Sequence, residues 1–346
     1  MSAEFNVNNP LSRPEWDDMV LASGKGSFFH SSAWARVLTD SYGYKPAYFS
    51  FIDGKGLKAL APFMEVNSPI TGNRGVCLPF TDYCEPIIED GCSMGDFISR
   101  IIGFGKESGW RYFEIRSVAS LAPWPAPSAS YYDHVLDISR DEKAILSSFR
   151  ASTRANIKRA EKEGVNVSMG SSMDYVRRFY ELNCMTRKTH GLPPQPFRFF
   201  ENIQKYILSR GHGIVALADF GGIAVAGDIF FNCGDEVIYK YGASDRKYQR
   251  YGANNLVMWE AIKYYASRGG KRFCLGRTDP EHNGLLQFKR GWRGQERAIN
   301  YYRYDLRRDS CISLSSKIRG FHNKVFSNMP VSILKLSGSL LYKHMG

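Results

Sequence analysis

The sequence predicts an α/β protein built from two related units, each a mixed twisted sheet flanked by helices. Its 346 residues exceed what one ordinary hydrophobic core accommodates. Short strand patterns alternate with helical patterns along most of the chain. A strand, a glycine turn and a second strand occur at 47–64 and again at 213–231, and this repetition favours two related units.

The order of these patterns predicts a first domain at 1–139, a second at 140–309 and a basic helical tail at 310–346. In the first domain the run at 28–34 leads into a short helix, with Ser31 or Ser32 as its N-cap. A hairpin turning at Asp53-Gly54 follows, then a helix at 96–107 and strands at 111–116 and 131–136. We expect the tail to pack back on the first domain.

Charge composition favours an anionic partner. The chain has 46 Lys and Arg against 34 Asp and Glu, a net charge of +12. Nucleic acid, a nucleotide-linked substrate and the inner face of a membrane all fit this excess, although basic enzymes without such a partner are common. The tail has five Lys or Arg and no acid after Asp309, and 331–342 is apolar enough to pack or to touch a membrane.

The remaining bulk features predict a cytoplasmic protein, with peripheral contact with the inner membrane as an option for the tail. Seven scattered cysteines without a C-x-x-C motif are typical of reduced thiols. The first residues do not resemble a signal peptide, and no apolar run reaches the roughly 18 residues of a membrane span. Serine hydrolase, Walker and zinc motifs are absent from the sequence, so we expect no metal.

A predicted helix at 141–162 carries cations spaced by four residues. Arg150, Arg154, Lys158 and Lys162 would form one stripe along it. A different face, with Phe149, Thr153 and Ile157, is suited to burial. The stripe fits an anion-binding surface and a solvated face equally well, and both interpretations stay open.

Two loops of the second half are candidates for binding or proton transfer. The Pro-bounded loop at 185–197 carries Arg187 and His190, and His190 is suited to carry a proton near neutral pH or simply to be solvated. The loop at 245–255 precedes a helix. Its Gly252 would let a phosphate approach the backbone N–H groups at that helix start.

The segment 239–292 restricts the range of possible functions more than any other segment. Tyr239 and Tyr241 lie on a predicted strand, and the Phe-Lys-Arg-Gly-Trp run at 288–292 includes Lys289 and Trp292. The polar loop at 276–284 is expected to expose Arg277 and Lys289 together. Lysine there would bind an anion or stabilise an oxyanion, or form a salt bridge with a nearby acid.

Together these segments resemble the Fem-type aminoacyltransferases and related GNAT-like acyltransferases. Four patches match in order: Phe-Phe-His-Ser-Ser-Ala-Trp at 28–34, Ser-Thr-Arg-Ala-Asn-Ile-Lys-Arg-Ala at 152–160 with Gly164-Val165, the block at 239–259, and Gly276-Arg277 followed by Phe288-Lys289-x-x-Trp292. Gln249 and Gly252 match the GNAT turn Gln/Arg-x-x-Gly-x-Gly/Ala, whereas Asn254 departs from it. The resemblance covers about residues 28 to 305.

The resemblance implies two GNAT-like domains, no metal and no tightly bound cofactor, with aminoacyl-tRNA or acyl-CoA as donor. Lys289 would stabilise the oxyanion, with Arg277 and His190 as further catalytic candidates. The substrate-binding candidates are Arg150, Arg154, Lys158, Arg187, Tyr239, Tyr241, Gln249, Gly252 and Trp292. The general base stays open, and Cys274 lies where relatives commonly have Asp.

The implied activity is acyl or aminoacyl transfer to an amine of a nucleotide- or lipid-linked peptidoglycan or exopolysaccharide precursor. The family's coiled-coil insertion has no counterpart in the sequence, which weakens the case for tRNA as donor or partner. Two alternatives remain: a CoA-dependent N-acetyltransferase acting on an amino sugar, and a non-enzymatic protein that binds nucleic acid or a membrane surface through the stripe and the tail.

Overall fold

The structure is a computed structural model that describes residues 4–53, 56–121, 124, 126–313 and 321–346. The predicted turn at Gly54, the Pro-rich stretch around Pro123 and Pro125, and the tail cations Lys317 and Arg319 lie outside the described residues, as does the side chain of Lys324. Within the described ranges, no helix has both the length and the apolar character that crossing a bilayer requires.

Fourteen strands are described. In chain order they are β1 (Glu4–Asn8), β2 (Lys45–Asp53), β3 (Gly56–Val66), β4 (Arg74–Val76), β5 (Ile87–Ile88), β6 (Tyr112–Ser117), β7 (Ala129–Asp137), β8 (Asn166–Gly170), β9 (Gly213–Phe220), β10 (Ile223–Cys233), β11 (Glu236–Ser244), β12 (Arg272–Cys274), β13 (Gln295–Asp305) and β14 (Ser310–Cys311).

Eleven α-helices are described, together with short 3-10 turns. In chain order they are α1 (Trp16–Ala22), α2 (Ser32–Tyr42), α3 (Met94–Glu107), α4 (Glu142–Ser148), α5 (Ala151–Lys162), α6 (Met173–Thr189), α7 (Phe197–Tyr206), α8 (Ala253–Ala266), α9 (Asn283–Arg290), α10 (Phe321–Asn328) and α11 (Val331–Leu341). Ser31 caps α2 by accepting from the Trp34 N–H at 3.4 Å, which confirms the predicted helix start.

The chain divides into two compact units. Unit 1 comprises 1–131, 298–317 and 341–346, and unit 2 comprises 132–297 and 318–340. In unit 1 the strand order is β1-β2-β3-β4-β6-β13. The three pairs from β1 to β4 are antiparallel, β4 and β6 are parallel, and β6 and β13 are antiparallel.

Unit 2 repeats this pattern in the order β8-β9-β10-β11-β12-β7. The three pairs from β8 to β11 are antiparallel, β11 and β12 are parallel, and β12 and β7 are antiparallel. Each unit is therefore a mixed sheet with one parallel pair between its fourth and fifth strands. The predicted α/β class with two related GNAT-like units is confirmed.

The unit boundaries differ from those expected near residues 139 and 309. The division falls within β7, at 131/132, and within β13, at 297/298. Residues 135–137 pair with β12 of unit 2, whereas 300–305 pair with β6 of unit 1. The sixth strand of unit 1 thus comes from chain outside its main segment, whereas the sixth strand of unit 2 begins that unit's own segment. Both strands pair with residues far along the chain, and such pairing leaves no local composition signal.

Both cores are strongly aromatic. In unit 1 the Phe49 ring packs edge-on against Phe63 at 5.4 Å and Phe104 at 5.1 Å. In unit 2 Phe149 packs edge-on against Trp259 at 5.6 Å and Trp292 at 4.9 Å. The predicted buried face of the 141–162 segment is confirmed, since Phe149, Ile157 and Ala160 are all buried.

The tail begins with the strand β14 and is helical in α10 and α11. Leu334 and Gly338 of α11 are buried, and a Cβ at Gly338 would collide with the Pro194 carbonyl in unit 2. The last six residues belong to unit 1. There Arg74 donates to the carbonyl oxygens of His344 and Gly346, each at 2.7 Å.

Candidate active site

Lys289 lies on α9 and its side chain is only 3% exposed. His282 caps this helix by accepting from the Leu285 N–H at 3.2 Å. The Lys289 Nζ donates to the Gly276 carbonyl oxygen at 2.7 Å and to the Arg277 carbonyl oxygen at 3.2 Å, both just beyond β12. A buried ammonium needs such partners to offset its lost hydration, and these two carbonyls fix its position.

The expectation that the loop exposes Arg277 and Lys289 together is wrong. Arg277 is exposed, whereas Lys289 is buried beneath the loop. The reason is that 283–290 folds as a helix, which turns Lys289 inward toward the carbonyls that follow β12. Arg277 contacts Lys289 through its backbone oxygen.

A cavity of about 360 Å³ joins three of the segments singled out from sequence. Ser152, Thr153 and Asn156 of α5 line one side, and Gln287, Phe288 and Gly291 at the end of α9 line another. The third side is the turn before α8 and its first residues, with Gln249, Gly252, Asn254 and Asn255. The lining is mostly uncharged and rich in amides, so it suits a polar ligand with several hydrogen-bonding groups.

The start of α8 is open to an anion. Its N-cap is Gly252, in the left-handed region at φ +75°, with no side-chain capping bond and no acid in the first turn. A Cβ at Gly252 would collide with the Asn156 backbone, so only glycine permits this approach of α5 and α8. First-turn N–H groups lack intrahelical acceptors, and the helix dipole favours negative charge beside them. Gln249 and Gly252, both predicted from sequence, line this cavity.

The predicted cationic stripe is not present as a continuous row. The chain breaks at Phe149 and Arg150, which have extended ψ values of 157° and 148°, so α4 and α5 are separate helices. Arg154 folds back to donate to the Ser147 carbonyl at 3.0 Å and to the Phe149 carbonyl. Arg150 donates to Gln287 Oε1 at 3.2 Å, beside the cavity, and Lys158 and Lys162 are exposed.

His190 lies at the C-terminal end of α6, where its ring is 6.0 Å from the His282 ring at the start of α9. The structure therefore brings His190 to the helix that carries Lys289. Partial burial and the nearby Arg246, His282 and Arg187 lower the pKa of His190, so its ring is neutral at neutral pH. Arg187 donates to the Pro193 carbonyl at 3.3 Å and so braces the loop after α6.

Tyr239 and Tyr241 do not share a face, contrary to the alternation expected of a regular strand. Ile229 pairs with Tyr241 and Phe230 with Tyr239, so Lys240 is the extra residue of a bulge. Tyr239 consequently packs on Phe230 at 5.7 Å, whereas Tyr241 packs on the other side against Phe200 of α7 at 5.6 Å. Neither residue lines the cavity.

Trp292 is a core residue and does not form a substrate-binding surface. It is 1% exposed and packs edge-on against Phe149 at 4.9 Å and Phe288 at 5.9 Å. The assignment of Trp292 to substrate binding is therefore wrong, because α9 ends at Arg290 and the following turn directs the indole inward.

A buried polar group on β7 was not predicted from the sequence. Asp133 of β7 is fully buried, with Arg297 donating to it at 2.8 Å and 2.9 Å, and the Cys274 thiol 3.3 Å from its carboxylate oxygens. Thus Asp133 places a carboxylate against the Cys274 thiol. The adjacent pair Asp133-His134 inside an apolar strand was the available signal.

His134, the next residue on β7, interacts with both Glu296 and Lys289. Its Nε2 is 2.9 Å from Glu296, which also accepts from Arg290 at 2.7 Å. Burial lowers the pKa of His134, and the nearby Lys289 lowers it further against the effect of Glu296. The neutral ring therefore carries its proton on Nε2, facing the carboxylate. In the described part of the chain, no three His, Cys, Asp or Glu side chains cluster as metal ligands would.

Comparisons with known proteins agree with this geometry. Residues 147–290 match the family model described as an acetyltransferase (GNAT) domain, and this range includes α5, α8 and α9. The chain is 21% identical over 308 residues to the UDP-N-acetylmuramoylpentapeptide-lysine N(6)-alanyltransferase of Weissella viridescens, covering 82% of this chain and 90% of that protein.

Solved structures show the same fold. The crystal structure of FemX matches with a TM-score of 0.67 at 13% identity, covering 86% of this chain and 96% of that one. A tandem GNAT protein from the clavulanic acid biosynthesis pathway matches with a TM-score of 0.57 at 10% identity, covering 88% and 98%. The predicted resemblance to Fem-type and GNAT-like proteins is confirmed.

Proposed function

This chain is an acyltransferase that resembles the Fem-type aminoacyltransferases, and from that premise we propose that it transfers an aminoacyl or acyl group to an amine of a cell-envelope precursor. The observation that carries the proposal is Lys289, a buried ammonium held by two backbone carbonyls on the helix whose end lines the cavity. Its neighbours on that helix, Gln287 and Phe288, form part of the cavity wall.

The proposed acceptor is nucleotide- or lipid-linked. The Weissella relative is named for alanine transfer to the lysine of a UDP-linked muramoylpentapeptide, and the net charge of +12 suits any acceptor that carries phosphates. Arg150, beside the cavity, and the exposed Lys158 are the candidates for those phosphates. Peptidoglycan precursors and exopolysaccharide precursors both fit, and either would place the enzyme in the cytoplasm or at the inner membrane.

The chemical step requires an uncharged amine to attack the carbonyl carbon of an activated ester or thioester. A C–N bond forms, the carbonyl oxygen becomes an oxyanion, and collapse of this intermediate breaks the C–O or C–S bond. The proton lost by the amine goes finally to the departing alkoxide or thiolate. A fixed cation stabilises the oxyanion because it needs no reorientation as charge develops, and Lys289 is the proposed cation. His190, neutral at neutral pH, is the proposed acceptor of the proton.

The donor would be aminoacyl-tRNA or an acyl-CoA, bound without any tightly held cofactor. Both carry phosphates, which the open start of α8 beside Gly252 would bind through backbone N–H groups. This same feature favours a second candidate function, a CoA-dependent N-acetyltransferase acting on an amino sugar. Gln249 and Gly252 at that turn support this second function. In the first candidate function, aminoacyl transfer, tRNA is the proposed partner.

Replacing Lys289 by Met tests the central proposal. Methionine keeps most of the apolar stem but removes the charge, so the turnover number for transfer to a soluble UDP-linked precursor should fall by about 100- to 1,000-fold. Lys263→Met is the matched control, because Lys263 on α8 is partly exposed and its contacts are local, an i,i+3 bridge to Glu260 and a position over the Trp259 ring at 5.7 Å.

Unfolding midpoints and affinity for the precursor would be measured for both variants, since Lys289 is buried. A variant with wild-type precursor affinity and lost turnover supports the electrostatic role. Normal turnover in Lys289→Met would refute it. Assays with aminoacyl-tRNA and with acetyl-CoA as sole donor would then separate the two candidate functions.

A further inference from the structure

The C-terminal helix α11 has an apolar face that projects from unit 2. Ile333, Leu336 and Leu340 are spaced by three and four residues and therefore lie on one side of the helix. They are 47%, 61% and 57% exposed. The opposite side, with Leu334 and Gly338, is buried. The helix is thus anchored by one face while the other, called here the α11 stripe, remains uncovered.

Exposed apolar residues are concentrated in this part of the molecule. Ten large apolar side chains are exposed among the described residues, and five of them lie between 325 and 345. Scattered single residues need no explanation, but apolar residues grouped on one helix face mark an interaction surface. The stripe therefore requires a partner that accepts an apolar helix face.

The charges around the stripe identify that partner as anionic. No Asp or Glu occurs after Asp309, and Lys335 and Lys343 are both exposed in the same region. An exposed apolar side with lysines at its border is typical of helices that lie in a membrane interface. A second copy of this chain would bring two basic tails together, so charge disfavours self-association through this face.

A cavity of about 390 Å³ adjoins the lysine border of α11. Lys335 and Ser339 of α11 line it, together with Arg177 and Tyr180 of α6 and Phe197 of α7. The Lys335 Nζ lies 5.2 Å from the centre of the Tyr180 ring. The cavity lining contains two cations and two aromatic rings, together with Glu181. The net positive charge of this lining suits a phosphate-bearing headgroup.

We propose that the α11 stripe docks the enzyme on a membrane of anionic phospholipid, with one phosphate headgroup in the cavity between Lys335 and Arg177. The stripe would enter the boundary between headgroups and acyl chains, and the two cations would neutralise the headgroup. This inference rests on the proposed function in one respect, namely that the acceptor is lipid-linked. Docking would then bring the enzyme to an acceptor in the membrane.

Flotation of the full chain with phosphatidylcholine vesicles, with and without phosphatidylglycerol, tests the proposal. Binding should require phosphatidylglycerol and weaken as salt increases. A triple variant, Ile333→Ser with Leu336→Ser and Leu340→Ser, should lower vesicle affinity by about tenfold or more. Ile223→Ser is the matched control, since Ile223 is 57% exposed in the β9–β10 hairpin, and it should leave binding unchanged.

A second variant, Lys335→Glu, keeps the stripe and should also weaken binding to phosphatidylglycerol vesicles. It makes the test independent of any folding defect in the triple variant. Unchanged binding in both variants, or equal loss in Ile223→Ser, would overturn the proposal. A dimer in solution that the triple variant abolishes would also overturn the proposal, because the stripe would then contact a second copy of this chain. Transfer to a soluble UDP-linked precursor should be unaffected, so loss of docking and loss of catalysis are separate outcomes.

Discussion

The two units share one strand pattern, but the helix that follows the fourth strand begins differently in each. In unit 1, α3 is capped by Ser93, whose hydroxyl accepts from the Asp96 N–H at 3.2 Å, and Asp96 adds a negative charge to the first turn. In unit 2, α8 begins at Gly252 without a side-chain cap or an acid, beside a cavity. The start of α3 in unit 1 therefore disfavours a bound anion, whereas the start of α8 in unit 2 favours one.

The buried carboxylates offer a second comparison. Glu114 on β6 in unit 1 accepts from both Arg116 and Arg303. Burial alone would raise the pKa of Glu114, but the two arginines lower it more, so it stays below its ordinary value. Asp133 in unit 2 has Arg297 as its cation and the Cys274 thiol as a neighbour. The buried carboxylate of unit 1 is therefore neutralised by two cations, whereas Asp133 of unit 2 pairs with one.

The largest effect on stability is expected from removing the cation of unit 2. Arg297→Met leaves the fully buried Asp133 without its cation and should lower the free energy of unfolding by about 3–5 kcal/mol. Arg303→Met should cost less, because Arg116 still pairs with Glu114. Denaturant titration of both variants, with hydrogen exchange to assign each transition to a unit, measures the difference. An equal or larger loss in Arg303→Met would contradict the comparison.

Acid should destabilise unit 1 through His30, which is fully buried. Burial lowers the pKa of His30 to about 4, although backbone hydrogen bonds at Glu85 and Ser27 oppose the shift. The unfolded state therefore binds a proton that the folded state does not, and stability present above about pH 6.5 is lost as the pH falls toward 4. The total loss should be about 3 kcal/mol.

Denaturant titrations between pH 7 and pH 4 measure this loss, and His30→Gln should flatten the pH dependence. The exposed His212→Gln serves as its control. An unchanged slope in His30→Gln would show that other groups govern the acid sensitivity.

A smaller effect, on donor affinity, is expected from changing the charge at the start of α8 or of α3. Asn254→Asp adds a negative charge to the first turn of α8 and should weaken binding of a phosphate-bearing donor by about tenfold, without loss of fold stability. Asp96→Asn makes the reverse change on α3 and should leave donor binding unchanged. Calorimetric titration with CoA and with aminoacyl-tRNA measures both. Equal affinities for all three proteins would place the donor away from α8.

Several structural features were predictable because their signals are local. The Ser31 cap, the buried face of α5, the paired hairpins and the strand, turn and helix around Gly252 all depend on neighbouring residues. Lys289 could be singled out because the Phe-Lys-x-x-Trp spacing is itself local. The inward direction of its side chain could not, because that depends on α9 packing under the loop beyond β12.

Other features escaped prediction for a physical reason. The bulge at Lys240, which separates Tyr239 from Tyr241, follows from pairing with β10 and not from the composition of β11. The Arg154 side chain turns back to cap α4 because that helix ends at Ser148. The expected row of four cations is therefore replaced by this arginine, by Arg150 bonded to Gln287, and by two exposed lysines.

The α/β class, the duplicated architecture and the resemblance to acyltransferases could be predicted from the sequence, because hydrophobic periodicity and short motifs are encoded by neighbouring residues. The strands that complete each sheet, the core position of Trp292 and the meeting of Asp133 with Arg297 and Cys274 are features of the tertiary structure alone. These contacts join residues more than 100 positions apart, and their energy depends on burial that no local pattern specifies.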